Sequence, residues 1–367
     1  SPAQRAPPGF RIDLLADLRG WREGHMGKLP TSHARFHRLN EITLDELRAL
    51  DRAHTAAILP IGMVEEHGGH LPLGTDNFAV DGLILALIAW LLENDPGLHI
   101  LLLPTIPFGT DPIDLRRRDL FERAGSVWLS AGTLRAVIGE LAGHLIRYGF
   151  RYVFPVGYHG GPNQSEVLES LCADLRAQHA GLVMYEPTGY VMAGGEAEMI
   201  PGLETLLGRP LTPVEQVALK GSIHASMFET SMMLNLRPDL VKPTYKHLRT
   251  IEWNQLYTMA DWPGYVGAGP AHADAELGGA ALRWRGVRAG ALILRAMRGE
   301  DLSTLTRHPV WEDEGNFPDE PPRIDKPHVD DNPVMHISAD DLARAKKRAA
   351  APDGDAEDDP DATQAHR

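Results

Sequence analysis

Cysteine is nearly absent from this sequence: Cys172 stands alone among 367 residues, so no intrachain disulfide framework can form. That fits a reducing compartment, and a cytoplasmic location is the expectation. An exported, processed form also suits a chain that begins Ser-Pro-Ala-Gln without Met. Long apolar runs are missing as well. The longest, Leu83 to Leu92, falls far short of the ~20 residues a membrane span needs and reads as a buried helix. Positive charge is in deficit, with 36 Lys and Arg against 50 Asp and Glu. No basic patch with interleaved aromatics is present, which argues against a nucleic-acid or membrane partner. The deficit is uneven. Residues 312–331 carry eight acids and two bases, and residues 352–367 carry six acids and one Arg, so these stretches supply −11 of the net −14 and the body is only mildly acidic.

The chain is 43% apolar, enough for a large core. Residues 1–40 are rich in Arg, Pro and His and read as an N-terminal extension. Residues 41–305 read as one folded domain, and 306–367 as a Pro- and acid-rich extension whose last part is too polar to fold alone. Thr43-Leu-Asp-Glu46 has capping-box spacing and predicts a short helix. Strands are then predicted at 56–62, 99–106, 151–157 and 181–187, with helices at 77–93, 130–148 and 164–177 between them. Short apolar strands separated by helices imply an α/β fold with a mostly parallel sheet covered on both faces. Residues 188–220 break the rhythm with Gly and Pro and predict a loop-rich insertion. Helices are expected again near 224–234 and 275–298. No internal repeat is evident.

Chemistry concentrates in three segments. The densest is Leu59-Pro-Ile-Gly-Met-Val-Glu-Glu-His-Gly-Gly-His-Leu-Pro-Leu-Gly-Thr-Asp76, which follows a buried strand and precedes a helix. Ligands bind at the carboxyl ends of strands in open α/β sheets. Glu65, Glu66, His67, His70 and Asp76 supply carboxylate and imidazole donors, and Gly68, Gly69 and Gly74 let the loop fold back so that they converge. Such donors suit Zn, Mn or Fe. A polar surface loop is the competing reading. The second segment, Val156-Gly-Tyr-His-Gly-Gly-Pro-Asn163, places His159 after another strand, with Gly160 and Gly161 allowing close approach of a metal or substrate; a Gly-rich turn is the alternative. The third is His224-Ala-Ser-Met-Phe-Glu229-Thr-Ser, where the five-residue spacing is off register for one helix face unless His224 lies at the helix start; a satisfied His and a capping Glu are the alternative.

Together the segments resemble the creatininase (creatinine amidohydrolase) family over roughly residues 40–300. Its first motif, LPxGxxEQHGxHLPxxxD, is matched with Glu66 in place of Gln. Its second, NGHGGN, is matched around His159-Gly-Gly, with Gly157, Tyr158 and Pro162 replacing Asn, Gly and the final Asn. Its third, HAGxxETSxxL, is matched with Ser226 in place of Gly. The resemblance implies a three-layer α/β/α fold, a homo-oligomer (hexameric in the family) and two divalent metal ions per chain. It implies one ion on Glu65, Asp76 and His159. The second would lie on His67 and the bridging Asp76, with Glu229 filling the place that Gly161 leaves empty. Glu66 and His70 would orient those ligands, and Tyr158, Gly160 and Gly161 would contact substrate. Hydrolysis of a non-peptide C–N bond in a small-molecule substrate, a cyclic amide or formamide, would use a metal-bridging hydroxide, with His224 and Glu229 as the catalytic residues and His224 the general acid. Competing readings are a non-catalytic binding relative and a one-metal lactonase or redox enzyme. Trp253 and Trp262 are candidates for the pocket wall or for core, and Arg116-Arg-Arg118 for an anion contact or a solvated face.

Overall fold

Apolar alternation within the strands decides the layering. The computed structural model describes residues 34–113, 125–193, 195–220 and 222–307. In chain order its first elements are β1 (Phe36–Arg38), α1 (Leu44–Ala49), β2 (Thr55–Ile61), α2 (Thr75–Asn94), β3 (His99–Leu102), α3 (Ala131–Arg147), β4 (Tyr152–Gly157), α4 (Pro162–Gln178) and β5 (Val183–Met184). The strands form a five-stranded sheet in the order β1-β3-β2-β4-β5, every pair parallel. In β2, Ala56 and Ile58 join one core cluster with Ile100, Leu102, Phe154 and Val156. Ala57 and Leu59 join another with Leu101, Val153 and Met184. Both faces of the central strand are thus apolar, as burial between two helical layers requires.

The first cluster receives α2 and a long final helix, α10 (Ala275–Met297). The second receives α3 and α4 through Ala142, Leu145 and Cys172. The result is a three-layer α/β/α arrangement. Helix α2 is long and apolar enough to cross a membrane, but it is a core helix, mostly buried inside the fold. After β2 the chain turns toward β3 and after β4 toward β5, so the β2–β4 crevice is the topological switch point of the sheet.

Local signals account for most boundaries. Thr43 caps α1, with Glu46 closing a capping box. The sheet starts earlier than expected, since β1 lies inside the stretch read as an N-terminal extension. The expected insertion at 188–220 is instead three helices, α5 (Thr188–Ala193), α6 (Gly195–Leu207) and α7 (Pro213–Lys220). The Gly and Pro residues that suggested loops are punctuation. Gly208, at φ 72°, follows α6, and Pro213 starts α7 where a missing N–H costs nothing. Beyond α7 come β6 (Ser222–His224), α8 (Met227–Leu236), α9 (Trp253–Thr258) and β7 (Val266–Gly267), with β6 and β7 paired antiparallel. The Arg116–Arg118 run and the acidic stretches 312–331 and 352–367 lie outside the described residues.

Candidate metal centre

The switch point collects donors from four elements. Glu65 and His67 lie on the loop after β2, and Asp76 sits in the first turn of α2. His159 follows β4, and Glu229 lies in the first turn of α8. Gly68, at φ 67°, lets the first loop reverse between His67 and His70. His224 ends β6 rather than starting a helix, and Ala225 (φ 47°) turns the chain so that Glu229 comes back to the same cleft. This turn removes the register conflict in the third segment.

Each imidazole is oriented by a carbonyl behind it. His67 Nδ1 bonds the Glu65 carbonyl at 3.1 Å, which leaves Nε2 at 3.6 Å from both Asp76 Oδ1 and Glu229 Oε2. His159 Nε2 bonds the Asp111 carbonyl at 3.0 Å, and its Nδ1 lies 3.0 Å from Glu65 Oε2 and 3.2 Å from Asp76 Oδ2. His224 Nε2 bonds the Glu66 carbonyl at 2.6 Å, with Nδ1 4.0 Å from Glu65 Oε2. A backbone partner on one ring nitrogen fixes the tautomer and presents the other nitrogen, the usual support of a metal-binding histidine. The carboxylates are tethered too. Ile113 N donates to Glu65 Oε1 at 2.5 Å, and Ala225 N donates to Glu229 Oε2 at 2.6 Å. Asp111 (φ 65°) and Ala225 are the only non-glycine residues with positive φ among the described residues, and both hold a site side chain.

Donor atoms converge without satisfying one another. Glu65 Oε2, His67 Nε2 and Asp76 Oδ2 are buried and make no hydrogen bond, although they lie within ion-pair distance of neighbouring site atoms. Three groups have ligand atoms all within 4.8 Å of one another: Glu65–Asp76–His159, His67–Asp76–Glu229 and Glu65–His67–His224. Burial disfavours charge on His67, but Asp76, Glu229 and Glu65 outweigh it and push its pKa up to about 10. His159 is likewise held well above the usual range by Glu65 and Asp76 against its burial. Asp76 falls below the ordinary carboxylate range because His67 and His159 overcome its burial. Burial pushes Glu229 up to about 7 against the pull of His67, and raises Glu65 against His159. A field that holds protons on two buried imidazoles is one that favours cations in their place. The oxygen and imidazole donor set, with no thiolate, suits divalent transition ions.

The remaining expected residues fall around this cluster. Glu66 accepts from Gly68 N at 2.6 Å and its own N–H donates to Ser126 Oγ at 2.9 Å. His70 is neutral, its pKa lowered to about 4 by burial, and lies 3.2 Å from Thr230 Oγ1. Burial and its neighbour His67 hold His224 neutral as well. Tyr158 donates its hydroxyl to Met232 Sδ at 3.4 Å. Gly160 faces open space, whereas a Cβ on Gly161 would run into His159 Nε2 and lie 2.7 Å from the Asp111 carbonyl. Trp253 and Trp262 pack in a satellite cluster with Tyr265 and Leu256. Sequence reasoning did not find Asp111, Ile113, Ser126 or Thr230, which act through backbone groups or hydroxyls.

Comparisons with known proteins agree with this fold. The Creatininase family, described as creatinine amidohydrolase, matches residues 40–291, more than half of the chain. The mycofactocin precursor peptide peptidase of Mycobacterium ulcerans (strain Agy99) is 26% identical over 213 residues, covering 57% of this chain and 69% of that protein. A candidate creatinine amidohydrolase from Bacteroides fragilis NCTC 9343 superposes with a TM-score of 0.51 at 20% identity, covering 74% of this chain and 99% of that one. A mutant creatininase of Zn-Zn type gives a TM-score of 0.50 at 21% identity, covering 71% and 98%.

Proposed function

Because this chain belongs to the Creatininase family, whose members are hydrolases with a metal-dependent amidohydrolase fold, we propose that it hydrolyses a C–N bond of a small amide at a two-ion centre. The supporting observation is the pair of donor groups that share Asp76: Glu65–Asp76–His159 for one ion and His67–Asp76–Glu229 for the other. When bound, divalent ions at these groups supply Lewis acidity toward an amide carbonyl oxygen and toward water.

The chain's own residues do the rest. Asp76 directs one oxygen toward each imidazole, which sets the spacing of the two groups. His224 is neutral, with Nε2 engaged by the Glu66 carbonyl. Its Nδ1 therefore accepts a proton as the amide is attacked and returns it to the departing nitrogen. Glu66 and His70 hold the loop that carries His67. The bond proposed is a non-peptide C–N bond, in a cyclic amide or formamide. A peptide bond is the second reading, favoured by the peptidase relative.

The test is elemental analysis of the native chain joined to a substrate panel of lactams, formamides and short peptides. Two ions of zinc, manganese or iron per chain and turnover of one amide class are expected. One ion or none would sink the two-ion reading, and turnover of peptides alone would replace the non-peptide assignment.

A further inference from the structure

Helix α10 carries four arginines, and three have plain partners. Arg288 pairs with Glu198, Arg295 Nε lies 2.6 Å from Glu300 Oε2, and Arg283 Nε donates to the Gly279 carbonyl at 3.3 Å. Arg285 differs. Its Nε is buried with no hydrogen-bond partner, and no carboxylate pairs with it among the described residues. Its guanidinium lies 5.0 Å from the ring centroids of both Tyr158 and Phe228, and its charge acts on the Tyr158 hydroxyl.

Position gives this arrangement its meaning. Tyr158 immediately precedes His159 and Phe228 immediately precedes Glu229, so the two rings are chain neighbours of two donors of the metal centre. Asp76 and Glu229 both act electrostatically on the Tyr158 hydroxyl. The cation therefore stands on the Tyr158 side of a centre made acidic by Glu65, Glu66, Asp76 and Glu229. An arginine serving only to neutralise these acids would pair with one directly, as Arg288 does with Glu198. Two rings accompany it instead, and a guanidinium carries the forked N–H edge that matches a carboxylate.

We propose that Arg285, held by Tyr158 and Phe228, binds a carboxylate carried by the substrate, so that the amide cleaved here belongs to a molecule with an acid group near the scissile C–N bond. This rests on the reading of the neighbouring centre as amide-hydrolysing.

Calorimetric titration with N-acetyl-L-alanine and with N-acetyl-L-alaninamide tests it, on metal-loaded protein and again after chelation. The acid is expected to bind about tenfold or more tightly than the amide in both states. Arg285→Gln should bring the ratio to about one, and Arg285→Lys should keep part of the preference. A thermal melt of each variant checks its fold. No preference in the native protein, or a preference that survives Arg285→Gln, overturns the assignment. A preference that vanishes on chelation also overturns it, since the ions would then hold the acid. Metal analysis of the same samples keeps the two readings apart. Native protein without ions ends the hydrolytic reading, whereas an acid preference that depends on Arg285 sustains the subsite.

Discussion

Asp76 and Gly161 are the residues on which the centre turns. Asp76 faces His67 with one oxygen and His159 with the other, so Asp76→Ala removes a donor from both groups. Metal content is expected to fall from two ions per chain to one or none, and hydrolysis by about a thousandfold or more; elemental analysis and a rate assay read the two effects. Gly161→Ala acts at one remove, because its methyl would press on His159 Nε2 and the Asp111 carbonyl. Loss of the ion of the Glu65–Asp76–His159 group is the expected result, with the melting temperature of chelated protein little changed. Unaltered metal content would count against the role given to that hydrogen bond. The donors were legible because three short segments carry them all. Their supports were not. Asp111 and Ile113 contribute a carbonyl and an N–H that any residue owns, and nothing in their side chains marks the task.

Glycines set the distances between elements. A Cβ on Gly278 of α10 would lie 2.5 Å from the backbone N of Met232 in α8, and one on Gly286 would lie 2.6 Å from both Ala86 Cβ and the Leu83 carbonyl in α2. Gly278→Ala must push the helices apart, with an expected cost of about 1–3 kcal/mol from overpacking. Gly139 in α3 is the control: the nearest atom to its Cβ is Leu171 Cδ1 at 3.6 Å, an ordinary contact. Gly139→Ala should stabilise by about 0.4–1 kcal/mol by restricting the unfolded chain. Paired thermal melts give the opposite signs or refute the packing argument. The strand–helix rhythm from β2 to residue 188 was readable because its strands are apolar runs and α2, α3 and α4 are long, whereas β1, Phe-His-Arg, carries no such signal. Helices α5 and α7 are too short for that. The residues Thr212 and Glu215, which hydrogen-bond reciprocally at the start of α7, have capping-box spacing that could have placed it.

At the scale of the whole molecule, the centre ties together α2, α8 and the loops after β2 and β4. Bound ions should therefore stabilise the entire fold, by about 2.7 kcal/mol for each ion at a hundredfold excess over its dissociation constant. Chelation should lower the melting temperature and re-addition restore it. The effect carries a definite pH sign. In ion-free protein the His67 pKa is raised from 6.5 to about 10, so the stability it contributes is full below pH 6.5 and is lost as pH rises toward 10. An ion must displace that proton, so ion affinity climbs across the same window. The gap in melting temperature between loaded and chelated protein should widen from pH 6.5 to 9, and a gap that narrows would contradict the assignment. Chain order adds a consequence of sharing Asp76. Glu65, Asp76 and His159 have all been synthesised once α4 leaves the ribosome, whereas the His67–Asp76–Glu229 group waits some sixty residues longer for α8. If two ions bind as proposed, a nascent chain would be charged in sequence, the first ion taken up before the second has a place to go.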